Sequence, residues 1–333
     1  MGFRFTYKQE VMEDALRLWL LDNRPYTHLR TRIRQFLLLC KTLEPALSYG
    51  KLRRAVIPIV ERLMSGDVGH LWMRDRNYER VLRLYGQNDQ RTEGWHAKRS
   101  EMITASEVYG VLGSESARRE VMMRKLEPRT GSGEAVPALL WGTRFEPIAK
   151  RLYEEKTQCQ ITDVSCVQHP RYNFLGASPD GLIVPCTDDP KRYGRLVEFK
   201  CPISRVEKPE IPAAYVHQMQ LQMECTGIDE CEYVEYRFKQ VMYSDWAAFQ
   251  GPKGSFAVYD DGHVVYDTAE YGDDRQIVYW ILNSMKEEFV AKDPGWLSRH
   301  IDTFQAFWNE VLEHRKNGTL PPPIKPQIPS LDM

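Results

Sequence analysis

Apolar residues in the first part of the chain recur at helical spacing. Runs at residues 16–21, 28–42 and 51–64 each predict a helix. The third run contains Pro58, which predicts a kink in that helix. Together they predict a small all-helical domain over residues 1–94.

The pattern changes after Trp95, where helical and strand-like runs alternate. Thr104 with Glu107, and then Ser114, are typical helix starts, and a longer helical run covers residues 135–157. Short strand candidates follow at residues 161–167, 172–178, 181–185 and 195–201, then a helix at 213–227 and a strand at 231–241. Two more helices are predicted at 275–290 and 300–314, before a Pro-rich extended tail at 319–333. The order predicts an α/β domain over residues 95–318.

The average charge gives no hint of a partner, because 45 Lys and Arg face 46 Asp and Glu. Residues 1–94, however, hold 17 basic against 11 acidic residues, while residues 95–333 hold 28 against 35. The basic excess is concentrated in one cluster, which consists of Arg30, Arg32, Arg34, Lys41, Lys51, Arg53 and Arg54. Such a cluster either contacts DNA phosphates or forms an ordinary solvated helix face.

The seven cysteines include no C-x-x-C pair and no His pair at zinc-finger spacing, so we expect reduced thiols in a reducing compartment. The first residues show no cleavable signal, and no stretch is apolar enough to span a membrane. We therefore expect an intracellular protein without a membrane partner.

Candidate chemistry lies in a predicted hairpin. Asp180 begins one strand in the string SPDG, and Glu198 and Lys200 lie in the next. Because strand side chains alternate, Glu198 and Lys200 share a face, and antiparallel pairing can bring Asp180 beside Glu198. Carboxylates and water are ligands that Mg²⁺ prefers.

A third carboxylate, Glu146, lies on the preceding helix beside apolar Trp141 and Phe145. Three carboxylates suit a two-metal site for phosphodiester hydrolysis. Taken singly, an Asp-Gly turn, an exposed E-x-K ladder and a helical Glu are ordinary features. The apolar flanks of Glu198 and Lys200 indicate burial, which favours a functional set.

These motifs resemble the PD-(D/E)xK nuclease superfamily, and within it the lambda exonuclease group, also called the YqaJ-like viral recombinase nucleases. The resemblance lies in residues 95–108 with the string ITASEV, Gly142 to Glu146, SPDGL with LVEFKCP, and YVHQMQ at 215–220. It covers residues 95 to about 238. It implies a restriction-endonuclease-like core, a central mixed sheet flanked by helices, preceded here by the helical domain.

The resemblance also implies roles for individual residues. Asp180 and Glu198 match the shared metal ligands, the Phe199 backbone carbonyl matches a further ligand, and Glu146 resembles the additional ligand from a helix. Lys200 matches the lysine that positions or activates the attacking water.

Three further positions match residues that support catalysis or bind the DNA end. Gln218 matches the glutamine that supports the lysine and the water, whereas Gln220 and Gln222 are candidates by composition only. Arg99 and Ser106 match the residues that hold a terminal 5′-phosphate. Arg suits phosphate because it binds bidentately, and Ser106 lies in the first turn of a predicted helix.

The implied activity is that of a Mg²⁺-dependent 5′→3′ exonuclease with two ions, for which Mn²⁺ can substitute. It would degrade one strand of duplex DNA from 5′-phosphorylated ends to mononucleotides, leaving 3′ single strands for viral DNA recombination, repair or replication. A single-strand annealing or binding protein is an expected partner, and the family's trimer is not assured here. The expected location is the host cytoplasm or nucleus, where viral DNA is replicated.

Two alternatives remain open: a structure-specific or nicking endonuclease of the same superfamily, and a non-catalytic DNA-binding protein that retains the fold. The sequence contains no P-loop string and so shows no ATP motor.

Overall fold

The structure is a computed structural model, and it describes residues 2–21, 28–127, 137–184, 192–204, 208–266 and 275–323. Contacts divide the chain into two compact units, Met1–Arg83 and Leu84–Met333. None of the described helices is long and apolar enough to cross a membrane. The six cysteines within the described ranges are free thiols.

The described part of the first unit is helical. Its elements are α1 (Gly2–Leu21), α2 (Leu29–Leu43), α3 (Tyr49–Met64) and α4 (Asp67–Tyr85), the last of which extends two residues past the unit. The core consists of apolar side chains from all four helices: Leu16, Leu20, Phe36, Leu37, Leu52, Val56, Ile59, Val60, Leu63 and Val68. The predicted N-terminal helical region is therefore confirmed.

The boundary between the units falls eleven residues before the position that composition suggested. Tyr85, the last residue of α4, and the segment after it are bonded within the second unit. The Ser165 backbone N–H donates to the Tyr85 carbonyl at 2.7 Å, and the Ser165 hydroxyl donates to Asp89 at 2.9 Å. The Gln90 side-chain amide donates to the carbonyls of Val164 and Pro179. Charge composition could not show these contacts, because they join positions about eighty residues apart.

The second unit contains two sheets among its described residues. Its strands are β1 (Ile103–Thr104), β2 (Ile161–Thr162), β3 (Val167–Gln168), β4 (Leu175–Ala177), β5 (Gly181–Ile183), β6 (Leu196–Lys200), β7 (Glu230–Val241), β8 (Lys253–Tyr259), β9 (Val264–Tyr266) and β10 (Arg275–Ala291). The larger sheet has the order β2-β5-β6-β7-β10-β8-β9, and the smaller has the order β1-β4-β3.

Helices surround these sheets. They are α5 (Glu93–Ser100), α6 (Val108–Leu112), α7 (Glu115–Leu126), α8 (Pro137–Thr157), α9 (Ala213–Thr226), α10 (Tyr243–Ala248) and α11 (Trp296–Asn317). Ser114 caps α7 as predicted, because its hydroxyl accepts a hydrogen bond from the Ala117 backbone N–H at 3.3 Å.

The larger sheet is mixed at the strand that carries the candidate chemistry. β6 runs parallel to β7, with α9 as the connecting helix, and antiparallel to β5. Val197 and Phe199 of β6 pack in one core with Phe145 of α8. Glu198, which lies between them, is bonded to Gln222 of α9. Helices therefore cover both faces of β6, and the predicted mixed sheet flanked by helices is confirmed.

The predicted helix at residues 275–290 is wrong, because this segment is the seventeen-residue strand β10. Its buried residues alternate as Val278, Trp280 and Leu282, which is strand periodicity. β10 pairs through Tyr279–Ala291 with β7 on one side and through its first seven residues, Arg275–Ile281, with β8 on the other. These partners are distant in sequence, and such pairing overrides a local helical pattern.

Two other regions differ from the prediction. The run at 161–167 is split between β2 and β3, which lie in different sheets, and the hairpin β8–β9 was not predicted. Of the predicted tail, residues 324–333 lie outside the described residues. Residues 319–323 have no regular structure, and the Arg119 guanidinium donates to the Pro322 carbonyl at 2.9 Å.

The centre of the sheet core is Phe145. Its ring stacks on Phe238 at 4.5 Å and meets Phe256 edge-on at 5.4 Å. We expect Phe145→Ala to lower the free energy of unfolding by about 3–5 kcal/mol, because it leaves a cavity in a close-packed core. Urea denaturation followed by tryptophan fluorescence measures this. Leu139→Ala, at an exposed position of the same helix, is the control, and an equal loss in both variants would contradict the packing.

Candidate active site

Two neighbouring strands bring Asp180 and Glu198 together. Gly181 of β5 pairs with Val197 of β6, so Asp180, one residue earlier, lies opposite Glu198. The Phe199 backbone N–H donates to the Asp180 carboxylate at 2.7 Å. Gly181 allows β5 to approach β2, because a Cβ there would lie 2.2 Å from a methyl carbon of Ile161. The SPDG string therefore has a steric reason for its glycine as well as a chemical reason for its aspartate.

The carboxylate of Glu198 is completely buried and is bonded through both oxygens. Oε1 accepts from the Lys200 ammonium and from the Gln218 amide, and Oε2 accepts from the Gln222 amide at 2.6 Å. A buried charge is tolerated only when it is paired and hydrogen-bonded in this way. The structure thus brings Glu198, Lys200 and Gln218 together.

Gln222, suggested by composition alone, belongs to this set, whereas Gln220 does not. Gln220 binds the Ala291 carbonyl and accepts from the Asp293 backbone N–H, away from Glu198. The available sequence signal was spacing: Gln218 and Gln222 are four residues apart, so they share one face of α9, and Gln220 points elsewhere.

Lys200 has a raised pKa. Burial lowers the pKa of its ammonium, but the charges of Glu198 and Asp180 together raise it above its ordinary value. The ammonium also lies 4.7 Å from the centre of the Tyr215 ring, within cation–π range. Lys200 therefore carries a positive charge at neutral pH.

The pKa of Asp180 is also raised, and for a carboxyl group this disfavours the charged form. Burial raises the pKa of its carboxyl well above the ordinary value, and the negative charges of Glu198 and Glu146 raise it further. Lys200 and the Phe199 hydrogen bond oppose this shift without cancelling it. An excess of negative charge thus remains around Asp180, which a cation would relieve.

Glu146 lies near this pair but is bonded elsewhere. Its carboxylate forms an ion pair with Arg91 at 2.7 Å, and burial raises its pKa although Arg91 opposes the shift. Glu146 lines a cavity of about 450 Å³ together with Phe199, Lys200 and Tyr215. Arg91 precedes every motif that the sequence offered, and no sequence signal marked it.

The structure favours a cation held by two carboxylates, those of Asp180 and Glu198, over a cation held by three. Among the described residues, no three His, Cys, Asp or Glu side chains converge closely enough to hold a metal ion. Mg²⁺ uses one or two carboxylates and keeps several waters, so two carboxylates with an uncompensated charge suit it.

A second polar site surrounds Arg99. Its guanidinium donates to the hydroxyls of Ser178 and Ser106, each at 3.3 Å, and to Thr104 at 3.4 Å. The group stacks on the Trp95 ring at 4.2 Å, and the Trp95 indole N–H donates to Ser178 at 3.1 Å. Burial lowers the pKa of Arg99, and the charge of Glu107 opposes this. A guanidinium among hydroxyls has the hydrogen-bond donors that suit an anion such as phosphate.

The structure revises the expectation for Ser106. It lies in a turn before α6, which begins only at Val108, so it is not in the first turn of a helix. The Glu107 carboxylate holds this turn by accepting from the Thr104 backbone N–H at 2.9 Å and from the buried Lys125 at 2.7 Å. Ser178 was missed, because the SPDG string was interpreted only through its Asp and its turn.

The predicted basic cluster in the first unit is not uniform. Arg32 is buried, stacks on Trp19 at 4.5 Å and donates to the Trp19 carbonyl at 2.9 Å, so it supports the helical core. Lys41 is half-buried and donates to the Leu47 carbonyl at 2.7 Å, and the other five members of the cluster are exposed: Arg30, Arg34, Lys51, Arg53 and Arg54. The exposed side chains are available to phosphates, whereas Arg32 is not.

The raised pKa of Asp180 predicts a pH-dependent gain in stability for Asp180→Asn. Unfolded Asp ionises near pH 4, so folding is increasingly penalised as the pH rises from there through the raised folded-state pKa. Without divalent cations, Asp180→Asn should unfold a few degrees higher than the wild type at pH 8, and the gain should vanish towards pH 4. Thermal unfolding across this range measures it, with exposed Asp302→Asn as the control. A lower midpoint for Asp180→Asn at pH 8 would argue against the charge imbalance.

Comparison with known proteins finds a match over the part of the chain that carries these motifs. Residues 94–229 match the model of the YqaJ-like viral recombinase domain. The chain is 25% identical over 182 residues to protein R354 of Acanthamoeba polyphaga mimivirus, a match that covers 51% of this chain and 32% of that protein. It is 28% identical over 162 residues to protein D345L of an African swine fever virus isolate, covering 39% and 44%. The chain thus spans less than half the length of these curated relatives.

Two solved structures are also similar to parts of this chain. An alkaline exonuclease of Laribacter hongkongensis is 26% identical, with a TM-score of 0.46 over 68% of this chain and 95% of that one. The shutoff and exonuclease protein of Kaposi's sarcoma-associated herpesvirus is 12% identical, with a TM-score of 0.38 over 94% of each chain. Residues 94–229 are thus similar to the YqaJ-like viral recombinase domain, over the same part of the chain in which the sequence motifs resemble that family.

Proposed function

We propose that the protein is a metal-dependent 5′→3′ exonuclease that degrades one strand of duplex DNA from its ends. The observation that carries this proposal is the buried Glu198 carboxylate, held by Lys200, Gln218 and Gln222 opposite Asp180. A fold that required only stability would gain little from this arrangement, since apolar residues of similar volume often serve as well.

Asp180 and Glu198 would hold the divalent cation, Mg²⁺ or Mn²⁺, with the Phe199 carbonyl as a further oxygen ligand. Glu146 would serve a second ion once it is free of Arg91. When bound, such ions lower the pKa of water and neutralise charge on the phosphate.

The protein's own residues orient the reaction. Burial lowers the pKa of Lys200, but the charges of Glu198 and Asp180 raise it above its ordinary value, so the ammonium would donate hydrogen bonds to the attacking water or to phosphate oxygens. Gln218 helps to fix the Glu198 carboxylate beside Lys200, because both side chains donate to the same carboxylate oxygen. The Tyr215 ring limits where the ammonium can move.

The Arg99 site supports the choice of DNA ends. Arg99, Ser106 and Ser178 present donors to a terminal 5′-phosphate. Ser178 precedes Asp180 by two residues, so their Cα atoms are at most about 7 Å apart. An end bound at Arg99 would therefore place a phosphodiester of one of the first nucleotides at Asp180, which favours release of small products.

The product of the proposed reaction indicates which partner the protein would have. The product would carry a 3′ single strand, so a protein that anneals or coats single strands is an expected partner. The exposed basic residues of the first unit would add sequence-independent phosphate contacts. Recombination, repair or replication of viral DNA is the proposed setting.

Loss of the catalytic set should abolish hydrolysis. We expect Lys200→Ala and Glu198→Gln to lower the rate on linear 5′-phosphorylated duplex by about 10²–10⁴-fold, because each removes a group that positions the reaction. Release of acid-soluble nucleotides with Mg²⁺ or Mn²⁺ measures this, with exposed Lys239→Ala as the control. Unchanged rates would refute the site. No activity in the wild type with either ion would favour a DNA-binding protein, and cleavage of intact closed circles would favour an endonuclease.

Arg99 should determine the preference for phosphorylated ends. We expect Arg99→Ala to lower kcat/KM on 5′-phosphorylated ends by about 10–100-fold, since a charge-assisted hydrogen bond contributes about 1.5–3 kcal/mol. Hydrolysis from 5′-hydroxyl ends should change little. Exposed Arg124→Ala is the control, and equal losses on both kinds of end would contradict a phosphate site.

A further inference from the structure

Arg91 has an unusual backbone conformation. Its φ angle is 70°, and Gln158 is the other non-glycine residue with positive φ in the described ranges. This left-handed region is costly for a residue with a side chain, so the surrounding structure must hold it there. Arg91 lies outside the segment that matches the family model.

The neighbours of Arg91 show how it is held. Asp89 accepts from the Ser165 hydroxyl, and the Gln90 amide donates to the Pro179 carbonyl at 3.0 Å, directly before Asp180. On the other side, the Thr92 hydroxyl caps α5 by accepting from the Trp95 backbone N–H. The strap of residues 89–92 is therefore bonded to the strand connection that carries Asp180.

The strap places the Arg91 guanidinium beside the Glu146 carboxylate. The two groups are 2.7 Å apart, and roughly half of the Arg91 side chain and a third of the Glu146 side chain are exposed. The Lys200 charge also acts on Glu146, but its ammonium donates its hydrogen bond to Glu198. Arg91 thus supplies the nearest observed positive charge for Glu146.

We propose that Arg91 is a positioning residue that competes with a divalent cation for the Glu146 carboxylate. When a cation takes Glu146, the guanidinium is released. Since the strap keeps its backbone beside Asp180, the freed group stays at the cavity and binds a phosphate of the DNA strand. Arg91 thereby weakens metal binding in the free enzyme and strengthens DNA binding in the loaded one. This inference rests on the proposed function.

Titration calorimetry with Mn²⁺ in the absence of DNA tests the competition. Arg91→Gln should bind Mn²⁺ about two- to fivefold more tightly than the wild type, because no partly exposed ion pair must be broken. Arg91→Lys, which keeps the charge, should bind nearly as the wild type does, and Arg124→Gln serves as a matched exposed control. Equal or weaker binding by Arg91→Gln would overturn the proposal.

The second readout is KM for linear duplex, which should rise in Arg91→Gln while the Mn²⁺ dissociation constant falls. A residue that only stabilised the fold would not move the two quantities in opposite directions, and an unchanged KM would refute the release of Arg91 to DNA. Asp180→Asn separates the two hypotheses. If it abolishes Mn²⁺ binding while Arg91→Gln has no effect, this inference fails alone. If the wild type binds no Mn²⁺, the proposed cation site fails as well.

Discussion

The burial of one negative charge organises the centre of the second unit. Glu198 has no exposed surface, and a carboxylate in such a place needs partners on every side. Lys200 supplies one from the same strand, and Gln218 and Gln222 supply two from α9. The helix that connects β6 to β7 is therefore locked to β6 by polar contacts as well as by packing. Asp180 lies opposite Glu198 and accepts from the Phe199 backbone N–H, so its position also depends on β6.

The SPDG segment joins the two polar sites. Ser178 accepts hydrogen bonds from Arg99 and Trp95, and Asp180 lies opposite Glu198. The Pro179 carbonyl between them accepts from Gln90 of the strap. Three consecutive residues thus connect the Arg99 site, the strap of residues 89–92 and the carboxylate pair of Asp180 and Glu198. Rigid placement of groups is what catalysis by positioning requires.

Local patterns predicted well where local physics decides. Caps such as Ser114, strand alternation at Glu198 and Lys200, and the helix that carries Glu146 could all be recognised from residue order. Partners distant in the chain could not. β10 was predicted as a helix because its pairing with β7 and β8 is non-local. Arg91 and Ser178 were missed because only the fold brings them to their partners.

Burial was the other quantity that sequence could not supply. Arg32 belongs to a basic run, yet its guanidinium packs inside the first unit against Trp19. Gln220 and Gln222 are equivalent by composition, and composition could not show that Gln222 binds Glu198 while Gln220 binds the Ala291 carbonyl. The family resemblance identified residue types at the site, and the fold determined which of them meet.

The long strand β10 has a consequence for how the domain that carries the candidate site is delimited. The family match ends at residue 229, one residue before β7 begins, yet β7 is the parallel partner of β6 and is itself covered by β10. A chain cut at the family boundary would leave β6 as a bare sheet edge, with unpaired backbone groups behind Glu198. The family match and the sheet that supports the candidate site therefore have different limits, because the sheet extends to the end of β10.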